Sequence, residues 1–149
     1  MAKLLGIATH HKSNGAIEQH RQAKLHLENG LNDYRGNKDI RTAVTILSLK
    51  SWQIACREAH CPQLHWQERR ANLLLDDFDF NQEDIGRQIA IGATLLEVTA
   101  ETDPCGRMEQ LCPGLKCALT PNWRGGARCR VIRAGHIQIG DTVQWFEPA

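Results

Sequence analysis

Apolar residues in this chain recur mostly in short alternating or continuous runs, the spacing of strands rather than of long helices. Residues 3–8 read as a first strand. Ala43-Val44-Thr45-Ile46-Leu47 is β-branched and apolar throughout and reads as a buried strand, and residues 71–75 and 95–99 have the same character. Helical signals are fewer. Ser48 suits the N-cap of a helix with Leu49, Trp52, Cys56 and Ala59 on one face, and Cys61-Pro62 stops it. The polar stretch 10–37 includes a second helical segment, 16–27, followed by turn signals at Asn29-Gly30 and Arg35-Gly36-Asn37.

Residues 88–96 echo residues 136–144: each is an alternating strand, an Ile-Gly turn and a second strand. Glycine at such a turn lets a sheet change direction, and two copies predict the corners of a bent or closed sheet. Residues 127–133 are expected to pair with 138–146 through Ala134-Gly135. The fold class read from this pattern is mostly β with short helices (α+β), in one domain spanning 1–149.

Composition narrows the function. A formal net charge of +1 favours neither nucleic acid nor a membrane surface as partner, so any anion site must come from local clustering of basic residues. The N-terminal apolar stretch is too short for a signal-peptide core, and no apolar run approaches the roughly twenty residues of a membrane span. A cytoplasmic location is the expectation. The six cysteines then read as reduced thiols, ligands or catalytic groups rather than as a disulfide framework.

Among them Cys105 stands apart, in Asp103-Pro104-Cys105-Gly106-Arg107-Met108. Asp103 is a good N-cap and Pro104 suits the first helical position, which places Cys105 in a first helical turn. Backbone N–H groups and the positive helix end there favour the thiolate, the form that attacks sulfur and binds metals, and Arg107 adds a charge. Cys56, on an apolar helix face, reads instead as a small hydrophobe. A different use of thiols would join Cys105, Cys112, Cys117 and Cys129 in a zinc-stabilised interaction module, although their spacing lacks paired Cys-x-x-Cys knuckles. Basic residues fall beside turn signals at Lys12-Ser13, Arg35-Gly36, Arg69-Arg70-Ala71-Asn72 and Arg124-Gly125-Gly126, the setting in which loops hold oxyanions.

The order of these segments resembles the MOSC domain, named after the C-terminal domain of molybdenum cofactor sulfurase. The landmarks run from Gly6-Ile7 and Lys12-Ser13 through Gly30-Leu31-Asn32-Asp33, residues 41–48 and Arg70-Ala71-Asn72-Leu73. They continue through residues 91–99, Pro104-Cys105-Gly106-Arg107-Met108, Arg124-Gly125-Gly126 and Ile139-Gly140-Asp141. The resemblance implies a β-barrel of MOSC type and a cysteine that coordinates molybdenum or carries sulfur as a persulfide. By motif position Cys105 is that metal ligand or carrier, with Asp103 and Arg107 beside it. Lys12, Ser13, Arg35, Arg70, Asn72 and Arg124 are the implied contacts to the molybdenum cofactor (molybdopterin).

The chain departs from the family where Ala71-Asn72 replaces Glu-Asn and Asn32-Asp33-Tyr34-Arg35 replaces Gly-Asp-x-His. It has no desulfurase domain, flavin pattern or iron–sulfur spacing. The resemblance therefore implies a separate partner: a cysteine desulfurase-type sulfur donor, or an electron-transfer reductase if the protein reduces N-hydroxylated compounds.

Overall fold

The computed structural model describes residues 2–147. Its strands in chain order are β1 (Ala2–Thr9), β2 (Glu18–His20), β3 (Gln22–Leu25), β4 (Val44–Ser48), β5 (Leu73–Leu75), β6 (Gln88–Ile91), β7 (Thr94–Glu101), β8 (Ala127–Arg133), β9 (Gly135–Gln138) and β10 (Thr142–Phe146). Helix α1 (Leu49–Glu58) joins β4 to β5, and α2 (Gly106–Leu111) and α3 (Leu115–Leu119) follow β7. Seven strands close a barrel in the order β1, β10, β6, β7, β8, β4, β5 and back to β1. Every neighbouring pair is antiparallel except β4–β5, which is parallel and crosses over through α1.

The hydrophobic pattern explains which face each strand buries. Along β8, Ala127, Cys129 and Val131 point into the barrel core while Arg128 and Arg130 alternate outward. β4 and β5 are buried on both faces and so read as continuous apolar runs. Ile46, Leu73 and Leu75 fill the barrel, whereas Leu47 and Leu74 pack under the helices with Trp52, Cys56, Met108 and Leu115. Ser48 caps α1 as expected, its Oγ accepting from the Ser51 N–H.

Three expectations about pairing and local structure are corrected. Segment 16–27 is not helical: it forms β2, which extends β1, and β3, which leaves the barrel to pair with β9. This segment has too few apolar residues to bury a helical stripe, and unsatisfied strand edges on β1 and β9 take its backbone instead. Residues 127–133 do not pair with 138–146. β8 lies between β7 and β4, and β10 lies between β6 and β1. The two echoing segments therefore differ. The first is a hairpin, β6 to β7 through Gly92, while the second carries the chain from the outer ribbon back to close the barrel.

A side-chain knot holds the open end of the barrel. Asn72, 1% exposed, accepts from the Thr45 N–H at 3.0 Å through Oδ1. Its Nδ2 donates to the Ala8 carbonyl at 3.1 Å and to Asp33 Oδ2 at 2.9 Å. Asp33 is fully buried, and its Oδ1 accepts from the Gly36 N–H. One amide thus ties β1, β4, the start of β5 and the 29–37 loop together.

Candidate functional site

A cavity of about 350 Å³ opens beside this knot, on the outer side of β4 and β8. Thr45 and Arg128 stand opposite each other in register and both line it, while their sequence neighbours belong to the barrel core. Five arginines line the cavity, Arg35, Arg69, Arg70, Arg107 and Arg128, against one carboxylate, that of Asp103. Cys105 is on the same lining and is exposed. The balance of charge selects an anion, and the thiol offers it one soft donor.

Each group has a structural reason to be there. Gly6 on β1 lets Trp66 lie against the strand, since a Cβ at that position would sit 2.6 Å from the indole. Trp66 begins the 3₁₀ turn Trp66–Arg69 that carries the arginine pair. Arg69 is almost wholly buried. Its Nε donates to the Gly125 carbonyl at 3.1 Å, and its Nη2 to the carbonyls of Thr102 at 2.8 Å and Asp103 at 3.4 Å. It thereby fastens the exit of β7, and with it Cys105, to the Gly125 turn. A Cβ on Gly125 would lie 2.6 Å from the Thr102 oxygen and would force this clamp apart. Arg70, with φ of 63°, turns the other way and donates to the Gly15 carbonyl at 2.7 Å. Arg107 reaches the same loop through Asn14 Oδ1.

The buried donors are only partly used. Among the described residues, four buried side-chain polar atoms lack a hydrogen-bond partner, and three of them, Arg107 Nε, Arg128 Nε and Thr102 Oγ1, belong to residues lining this cavity. A buried unpaired donor costs about 1–3 kcal/mol, so the site is arranged for acceptors that a ligand would bring. Burial, followed by the charge of Arg107, holds the Arg70 guanidinium below the usual arginine range. The second of these causes is the repulsion expected where cations gather.

His10, packed against Tyr34 with ring centroids 5.7 Å apart and the planes tilted by 33°, lines the cavity as well. Burial first, then the Arg70 charge, pushes its pKa below the ordinary value of 6.5. The folded protein therefore refuses a proton that the unfolded chain accepts. Stability should fall as pH drops through about 6.5 and go on falling until the folded histidine itself protonates. Denaturant midpoints between about pH 8 and pH 5 should decline less steeply in His10→Gln than in the parent. An equal slope in both would show that His10 carries none of this dependence.

The structure brings together six of the residues singled out from the sequence: Cys105, Asp103, Arg107, Ser13, Arg35 and Arg70. Three lie elsewhere. Lys12 is outside the lining. Arg124 donates to Glu58 Oε1 at 2.9 Å and to the Ala118 carbonyl at 3.0 Å, joining α1 to α3. Asn72 spends its amide on the knot described above. Asp103 does not cap α2: the helix starts one residue after Cys105, which is itself the N-cap and makes no side-chain cap bond. The proline holds the backbone extended there, and the Arg69 clamp takes the Asp103 carbonyl.

The four cysteines of the zinc alternative are dispersed. Cys129 lies in the barrel core, Cys112 under the helices, and Cys105 and Cys117 are exposed. Among the described residues no group of three or more His, Cys, Asp or Glu side chains is placed to hold a metal ion. Arg69, Arg128 and His10 were not singled out as contacts. The outward alternation of β8 was the available signal for Arg128. Arg69 was masked by its neighbour.

A closed barrel with a cationic, thiol-bearing cavity on the outer side of β4 and β8 defines the class of this protein. The sequence profile of the MOSC domain matches residues 22–144, and the chain belongs to that family. Among solved structures, the YuaD protein from Bacillus subtilis has a similar fold, with a TM-score of 0.78 at 16% identity over 96% of this chain and 94% of that one. YiiM from Geobacillus stearothermophilus and YiiM from Escherichia coli superpose with TM-scores of 0.72, at 14% and 13% identity. Each match covers 99% of this chain, and 76% and 71% of the respective YiiM chains. No curated protein matches the sequence significantly. Among the described residues, no helix is long and apolar enough to cross a membrane.

Proposed function

We propose that the cavity binds the molybdenum cofactor, with Arg70, Arg107 and Arg128 holding its phosphate-bearing end and Cys105 supplying a thiolate to the metal. The observation that carries this reading is the pair of buried, unpartnered guanidinium Nε atoms on the same cavity as the exposed thiol. Guanidinium groups bind phosphate through charge-assisted hydrogen bonds, and a thiolate is a soft ligand suited to molybdenum. When bound, the cofactor supplies two-electron redox chemistry, while the protein binds, orients and excludes water. Arg69 keeps the Cys105 segment in place, and neutral His10 can donate or accept a proton at the cavity wall.

The exposure of Cys105 favours a second use, sulfur carriage. The thiolate would attack the terminal sulfur of a donor persulfide. A Cys105 S–S bond forms as the donor S–S bond breaks, the donor leaves as a thiolate, and no outside oxidant is needed. The partner is then a cysteine desulfurase-type donor; for N-hydroxylated substrates it is an electron-transfer protein.

Expression in a host that makes the cofactor, followed by molybdenum, pterin and intact-mass analysis of wild type and Cys105→Ala, separates these outcomes. Cofactor binding gives molybdenum and pterin in wild type, with the metal lost in the variant. Sulfur carriage gives metal-free protein with one labile extra sulfur on Cys105. Wild type with no molybdenum, pterin or added sulfur would refute both.

A further inference from the structure

Three cysteines that play no part in the cavity lie together where α1 meets α2. Cys56 sits in the last turns of α1, Cys61 in the loop that leaves it, and Cys112 at the C-terminal cap of α2. All three are buried in the same packed cluster. The Cys112 thiol reaches the α1 end only two residues before Cys61, at the Ala59 carbonyl. Backbone contacts hold the arrangement from two sides: the Cys61 N–H donates to the Cys56 carbonyl at 2.8 Å, and the Cys112 thiol donates to the Ala59 carbonyl at 3.4 Å. All three are free thiols, and they form no group able to hold a metal ion.

Their surroundings are not equivalent. Cys56 is 1% exposed, whereas Cys61 and Cys112 keep 5% and 8%. Cys56 is thus the most enclosed of the three. Cys112 also lies at the opposite end of α2 from Cys105, and the fully buried Met108 between them anchors that six-residue helix in the cluster.

We propose that Cys61 and Cys112 are a disulfide-forming pair, whose oxidation ties the end of α1 to the end of α2 and restrains the helix that starts after Cys105. The oxidant is a low-molecular-weight disulfide such as oxidised glutathione. One of the two cysteines loses its proton and attacks it, giving a mixed disulfide and one glutathione thiol. The other cysteine then displaces the second glutathione. Two cysteine thiols lose two electrons and two protons, and one glutathione disulfide becomes two thiols. Burial pushes Cys56 up to about 11 and Cys61 up to about 12, so these thiols stay protonated and oxidation is slow, awaiting local opening of the α1–α2 contact. The Cys61–Cys112 link forms whatever the cavity binds; only the Cys105 alkylation rate is read on protein free of cofactor and added sulfur.

Trypsin separates the three cysteines into peptides 51–57, 58–69 and 108–116. The full chain is incubated with oxidised glutathione, quenched in acid, alkylated and digested. The expected product joins 58–69 to 108–116, with a mass two hydrogens below the sum, and dithiothreitol reverses it. Cys56→Ser should retain the link and Cys61→Ser should abolish it. In the linked protein, iodoacetamide should alkylate Cys105 several-fold more slowly than in the reduced protein, with exposed Cys117 unchanged as the internal control. A link between 51–57 and 58–69, or glutathione adducts on Cys105 and Cys117 with no internal link, would overturn the pairing. An unchanged Cys105 rate in linked protein would overturn the restraint. Should a serine variant fail to fold, the wild-type peptide map still decides the pairing.

Discussion

Asn72→Ala should destabilise the protein by roughly 3–5 kcal/mol. The size follows from what is left behind. The fully buried Asp33 carboxylate loses its amide donor, the Thr45 N–H loses its acceptor, and the Ala8 carbonyl loses a donor. A buried charge stripped of a partner is the costliest of these, because the cavity left by the amide does not return it to bulk water. The loss spreads beyond the residue itself, since the 29–37 loop that carries Tyr34 and Arg35 into the cavity is tied to the barrel through Asp33. Urea unfolding measures the change directly, and a loss below about 1 kcal/mol would show that the knot is dispensable.

Replacing Arg69 should separate position from charge at the site. Arg69→Met leaves the carbonyls of Thr102, Asp103 and Gly125 without their donor and should lower stability by roughly 2–4 kcal/mol. Arg69→Lys keeps the charge but offers a single ammonium where a planar fork spans two segments, so it should recover little of the loss. Burial holds the Arg69 guanidinium below the usual arginine range, and no carboxylate forms a salt bridge with it among the described residues. Its role is therefore to hold backbone. With the segment before Cys105 released, iodoacetamide should alkylate Cys105 at a different rate in both variants and at similar rates to each other. Full recovery of stability and alkylation rate by lysine would show that charge alone matters.

Much of this fold was legible. The strands at 3–8, 43–47, 71–75 and 95–99, the Ser48 cap and the closed-barrel character all rest on short apolar runs, glycine turns and capping bonds within a few residues of one another. The segment at 16–27 reads as a helix but carries too weak an apolar pattern to form one; the edges of β1 and of the distant β9 decide its conformation. The pairing of residues 127–133 failed for a related reason. A glycine turn announces a change of direction, but whether the next strand folds back or crosses to another sheet depends on which edges are open.

The site divided along the same line. Cys105, Asp103, Arg107, Ser13, Arg35 and Arg70 were recognisable because turn residues beside basic or nucleophilic groups leave a local signature. Asn72 and Arg124 carry the same signature and yet turn away from the cavity, one into the Asp33 knot and the other to Glu58. By itself the sequence determined the barrel strands, the capped helix and an unusual thiol in a polar turn, all products of interactions across a few residues. Only the tertiary structure decided which arginines converge on that thiol and which donors stay unpaired. Convergence is set by barrel closure, which brings segments a hundred residues apart to one rim, and no local preference encodes it.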